Sequence, residues 1–189
     1  MANDTMENNS EERDLLRYHE TLDAFRDTIA TYYSEKTIDV YRTVRTNPPT
    51  DADLIPQRYL NEDLEEFNEL LIEYSEEEVA EMTDEEKRSE VSSNAISVNN
   101  TAEKCISSAI RTYRTVTTNH PERAEKFKKQ RGPFVARLSL KPQHGLISKA
   151  KNGHRNFLLR EGVKMNDIWD RSFDILEFDY DAEHDNSKE

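Results

Sequence analysis

The chain has 189 residues, 34% of them hydrophobic and 34% charged, with 26 Lys+Arg against 39 Asp+Glu and a formal net charge of −13. That length suits one domain, or one domain with a small appendage, and no stretch is long and apolar enough to span a bilayer. The single Cys105 excludes an intrachain disulfide and a cysteine-only metal site, and residues 1–9 lack the basic start and apolar core of a secretory signal, so a cytoplasmic protein with no membrane partner is expected.

Gly is scarce at 4 and Pro numbers 6, which favours long helices. After a polar, disordered tail over residues 1–9, Leu15, Tyr18, Leu22, Phe25, Ile29 and Tyr32 step by three and four. This is one stripe of an amphipathic helix, with coiled-coil-like heptads. The stripe shifts to Tyr33, Val40 and Val44, where the helix re-phases or kinks, and Asn47-Pro48-Pro49 stops it. Leu60, Leu64, Phe67, Leu71 and Tyr74 predict a second helix, with Asn61 as its N-cap. Thr83 followed by Glu86 reads as a capping box opening a third. Its stripe is Val91, Ala95, Val98, Ala102, Cys105, Ala109, Thr112 and Val116. Asn119-His120-Pro121 ends it, and residues 121–130 form one more short helix. Leu22, Phe25, Leu64, Phe67, Val98 and Cys105 stand at the centres of the three stripes and predict one shared core.

After Gly132-Pro133 the apolar period falls to two. Phe134, Ala136, Leu138 and Leu140 alternate with more polar neighbours, as a half-buried strand does. Residues 146–151 and 154–160 predict two strands joined at Asn152-Gly153, which supplies the positive φ of a type I′ turn. Residues 166–173 predict a short helix holding Trp169, and 175–180 a fourth strand. The expected class is α+β. An antiparallel bundle of about three long helices fills 10–131, a small β-rich module with a basic hairpin fills 132–181, and a second disordered tail covers 182–189.

A repeat links the two ends of the expected bundle. Tyr41-Arg-Thr-Val-Arg-Thr-Asn-Pro-Pro49 and Tyr113-Arg-Thr-Val-Thr-Thr-Asn-His-Pro121 agree at seven of nine positions. Each copy is expected at the C-terminal end of a long helix, and both at one end of the bundle. A duplicated helix-stop signal explains the repeat. A second surface built from Arg42, Arg45, Arg114 and His120 is its functional reading.

Charge is segregated along the chain. Residues 1–100 carry 9 Lys+Arg against 26 Asp+Glu, residues 101–164 carry 15 against 4, and residues 165–189 carry 2 against 9. A basic block between acidic flanks points to a polyanionic partner or to an internal acidic–basic contact. Lys126, Lys128, Lys129 and Arg131 precede the predicted sheet, and Arg137, Lys149, Lys151, His154, Arg155 and Arg160 lie on it. A stiff hairpin with cations at its tip suits a phosphate backbone, DNA or RNA, where each contact releases condensed counterions. The resulting expectation is a small, non-enzymatic nucleic-acid-binding or regulatory protein. The alternative is an assembly module whose basic sheet meets an acidic face of a partner or of the chain itself, with homo-oligomers formed through the helices. A weaker third is an enzyme with a site of Arg, Tyr and His. The five His residues show no metal-ligand spacing, four glycines cannot build a phosphate loop, and no Ser or Cys sits in a nucleophile motif, so neither metal nor cofactor is expected.

Overall fold

The computed structural model describes residues 15–33, 36–56 and 74–181. Its centre is a six-stranded antiparallel sheet, curled into a half-barrel, with strand order β4-β5-β2-β1-β3-β6. The strands are β1 (Ile38–Val44), β2 (Ile96–Asn99), β3 (Phe134–Leu140), β4 (Gly145–Ile147), β5 (His154–Leu159) and β6 (Leu176–Glu177). Around it lie α1 (His19–Leu22), α2 (Arg26–Ile29), α3 (Glu76–Glu81), α4 (Asp84–Ser93), α5 (Ala102–Asn119), α6 (Ala124–Arg131) and α7 (Met165–Ile168). A bundle of about three long helices is therefore overturned, and so is a coiled coil: the longest described helix, α5, has 18 residues.

The correction has a local cause. Residues 37–44 are dense in β-branched side chains, which fit a pleated surface. Val40 and Val44 are fully buried on one face of β1, and a spacing of four suits a strand face as well as a helical turn. Tertiary pairing decides between the two. β1 runs beside β3 from Ile38↔Leu140 to Val44↔Phe134, and β2 flanks its other side at Tyr41↔Asn99. The third predicted helix is likewise divided. The Thr83–Glu86 capping box forms: the Thr83 hydroxyl accepts from the Glu86 N–H at 3.3 Å, and the Thr83 N–H donates to Glu86 Oε2 at 2.7 Å. The helix it opens, α4, stops where the Asn94 side chain bonds the Glu90 carbonyl at 3.0 Å. Ile96 and Val98 then alternate as strand β2. One apparent stripe thus spans α4, β2 and α5.

Both faces of the sheet are packed. On one, Val40, Val44, Ile96, Val98, Leu138 and Phe157 meet Leu54, Met165 and Ile168. On the other, Leu158 meets Leu22, Phe25 and Val91, and farther along Tyr113, Phe127 and Tyr180 close α5, α6 and the C-terminal segment together. Leu22 and Phe25 therefore share a cluster, but Val98 belongs to the opposite face and Cys105 to none of these clusters. Leu64 and Phe67 lie outside the described residues, as do the predicted second helix up to Tyr74 and both terminal tails.

The repeat adopts two conformations. Tyr41-Arg-Thr-Val44 is strand and Tyr113-Arg-Thr-Val116 is helix, so no pair of helix ends exists. The C-terminal half follows its sequence pattern in part: the strand expected over 146–151 is Gly145–Ile147, the helix expected over 166–173 is Met165–Ile168 with Trp169 just past its end, and the strand expected over 175–180 is Leu176–Glu177. β3 occupies 134–140, α6 follows a 3-10 turn at Pro121–Arg123, and Asn152 and Gly153 have φ of 53° and 80°. Strands drawn from both sides of residue 132 form one sheet.

Candidate anion-binding cleft

The site is built where α5 crosses the sheet. The Thr101 hydroxyl accepts from the Lys104 N–H at 3.2 Å and starts α5 directly after β2. The hairpin tip is fastened to the same point: the Asn100 N–H donates to the Gly153 carbonyl at 2.8 Å, and Arg155 Nε donates to Asn100 Oδ1 at 2.8 Å. A Cβ on Gly153 would lie 2.4 Å from Lys104 Cδ, so the tip rests on the first turn of α5. The hairpin is thus a wall and not a free finger.

Between that wall and α5 runs a cleft of about 880 Å³, lined by Asn99, Lys104, Ser107, Ser108, Ile110, Arg111, Arg114, Thr115, Lys151, Asn152 and His154. Among these described residues there are four permanent cations and no carboxylate. In a chain with 39 Asp+Glu, that local excess makes the cleft electropositive.

Behind the cleft an inner pocket of about 250 Å³ lies between α5, α6 and the sheet. It shares Asn99, Ser108 and His154 with the cleft and adds Thr43, Ser97, Cys105, Thr112 and Arg131. Gly132 brings the end of α6 against β1 beside it. With φ of 74° it ends α6, and a Cβ there would meet the Val44 carbonyl oxygen at 2.1 Å. That close approach carries Arg131 over β1. Ser97 Oγ and His154 Nε2 lie 2.7 Å apart. Burial and the charge of Arg131 hold the His154 pKa below its ordinary value, so the ring is neutral at pH 7. Burial pushes the Cys105 thiol up to about 12, which removes it as a neutral-pH nucleophile. Among the described residues no cluster of three or more His, Cys, Asp or Glu is placed to hold a metal ion.

The remaining cations of the basic block are distributed as follows. Arg114, Lys151 and His154 line the cleft and Arg131 the inner pocket. Lys126 and Lys129 are exposed on α6, and Lys149 is exposed ahead of the hairpin tip. Lys128 bonds Asp181 at 2.6 Å, which raises the Lys128 pKa and lowers that of Asp181. Arg137 pairs with Asp39 at 2.5 Å and Asp170 at 3.9 Å, and its guanidinium lies 3.7 Å from the Phe173 ring centre. Arg155 is held by Asn100, the Tyr33 hydroxyl and the Ser148 carbonyl. Arg160 sits at the other end of β5, bridged to Leu16.

Arg42 and Arg45 meet at Asp53, whereas Arg114 lines the cleft and His120 caps the end of α5. Arg42 is buried and donates to the carbonyls of Asp53, Ser97 and Ile55 at 2.7, 2.8 and 3.1 Å. Burial and the Arg131 charge lower its pKa to about 10, so it stays charged at pH 7. Arg45 pairs with buried Asp53 at 3.1 Å, and His120 is exposed beside Glu122. Lys104 and Arg111 are the cleft cations not among the candidates drawn from the sequence. Their signal was available, since Lys104, Arg111 and Arg114 are seven and three apart on one helical face. Comparison with family models, curated proteins and solved structures finds no match to this chain. Among the described residues no helix is long and apolar enough to cross a membrane.

Proposed function

We propose that this protein binds single-stranded nucleic acid, DNA or RNA, along the cleft between α5 and the hairpin tip, in a cytoplasmic and non-enzymatic role. The observation that carries the reading is the lining: Lys104, Arg111, Arg114 and Lys151, with no carboxylate among the described residues. Cations on facing walls neutralise phosphates and release counterions, while a concave trough favours a flexible strand over a duplex. A binding role is supported by the inert Cys105 thiol and by an inner pocket whose described lining residues include no carboxylate to orient His154 as a base.

A second reading, an assembly module, draws on a different observation. Lys128 and Arg137 are already matched by carboxylates of the same chain, so part of the basic block neutralises acidic segments internally. Titrating fluorescent single strands of DNA and RNA at increasing salt separates the two. The first reading expects binding at low salt, with log K falling linearly against log salt. Absence of binding at low salt would remove it.

A further inference from the structure

The cleft lining suits the backbone of a strand better than its bases. Proteins hold the bases of a single strand by stacking them on aromatic rings. Among the described lining residues the one ring is the His154 imidazole, half-buried and with its Nε2 at 2.7 Å from Ser97 Oγ. One such ring cannot seat a row of bases. Lys104, Arg111 and Lys151 suit phosphates, which leaves the sugars.

The neutral residues among those cations discriminate between sugars. Ser107 Oγ donates to the Glu103 carbonyl at 2.7 Å, and Thr115 Oγ1 donates to the Arg111 carbonyl at 3.0 Å. Each hydroxyl commits its one proton to its own helix, so what remains for a ligand is a pair of acceptor sites. A phosphate diester also presents only acceptors, and neither oxygen gains by meeting one. A ribose 2′-hydroxyl has a proton to give, and deoxyribose has no group at that position. Ser107, Arg111 and Thr115 are four apart in the chain, which sets acceptor, cation and acceptor along one face of α5. The two acceptors stand about 12 Å apart along the helix axis, too far to share one sugar. An RNA backbone presents hydroxyl, phosphate and hydroxyl to such a face, and a DNA backbone presents the phosphate alone.

We infer that the cleft selects RNA over DNA, through ribose 2′-hydroxyls that donate to Ser107 and Thr115. The inference rests on the nucleic-acid reading above and narrows its ligand. Its test uses the full chain and one sequence made as three single strands: RNA, DNA and 2′-fluoro RNA. Fluorine at that position keeps the ribose pucker and cannot donate.

RNA is expected to bind about tenfold tighter than DNA at one salt concentration, as two neutral hydrogen bonds provide. The fluorinated strand should bind like DNA, a comparison made on the parent chain that needs no variant. In the double variant Ser107→Ala, Thr115→Val the ratio of RNA to DNA affinity should fall to about one. The salt slope of that variant should match the parent's, because no cation is removed, and a thermal melt reports that it is folded. Equal affinities for RNA and DNA in the parent chain would remove the inference and leave the cleft reading standing. A fluorinated strand that binds as tightly as RNA would overturn it, since sugar pucker would then be what is selected. A preference that survives in the folded double variant would overturn it as well. Binding of no strand at low salt would remove the cleft reading itself.

Discussion

Arg42 and Arg111 carry the same guanidinium, and the fold uses them in opposite ways. Arg42 is sealed under the sheet, where three backbone carbonyls consume its donors. Arg111 is exposed on α5 and faces a cleft that no described carboxylate lines. Between them stand cations such as Lys128 and Arg137, which are exposed or half-buried but matched to carboxylates. Charge counted along the sequence treats all of these alike. The structure sorts them into cations that hold the chain together and cations that line an open cleft.

The sharpest test of that division is Arg42→Ala. It removes the donor from one buried and two part-buried carbonyls, so it should cost about 3 kcal/mol of folding stability, read by urea unfolding. An unchanged midpoint would erase the distinction between the two arginines.

Second in size is the effect of replacing Arg111 and Lys151 together by Ala. They stand on opposite walls, and both face the cleft. Strand affinity should fall at low salt and the salt slope should drop by about 1.4 units, while the unfolding midpoint stays put. A slope equal to that of the parent chain would mean that the strand lies elsewhere.

Lys128→Ala supplies the control. Its ammonium is committed to Asp181, so the salt slope should not move. A fall as large as that of the cleft variant would show that internal pairing does not withhold a cation from the ligand.

The smallest expected effect concerns His154. Its folded-state pKa lies below the ordinary histidine value, so on acidification the unfolded chain takes up a proton first. Stability is therefore lost as pH falls through the ordinary value, and the loss levels off below the folded one. His154→Gln should lack this component and lose less stability between about pH 7 and pH 5. His144, whose pKa is also lowered chiefly by burial, keeps its share in both proteins. Parallel stability curves would show that the ring does not feel the pocket.

Features encoded in a few adjacent residues were legible in the sequence. The Thr83–Glu86 capping box, the Asn152-Gly153 turn, strand β3 and the helix after Pro121 all stand where local chemistry puts them. The failures came from spacings that two structures satisfy. Val40 and Val44 are one helical turn apart and also two strand steps apart. The run from Val91 to Val116 kept helical spacing across Asn94 and Asn100, where the chain changes structure. The candidate site was legible in part. Lys151, His154, Arg131 and Arg114 were drawn from the sequence. Lys104 and Arg111, set on α5, were not.

By itself the sequence determined the segregation of charge, the stop and turn signals, and the alternating pattern of the C-terminal half. Those are properties of neighbouring residues, and they survive without knowledge of the partners. The tertiary structure alone decided that Tyr41-Arg-Thr-Val44 is strand while Tyr113-Arg-Thr-Val116 is helix. Pairing with β2 and β3 satisfies the backbone of the first copy, and the capped start at Thr101 leads helix α5 through the second. It alone decided which cations are used up as well. A guanidinium has the same charge everywhere in the chain, and only the groups folded around it determine whether any of that charge is left for a ligand.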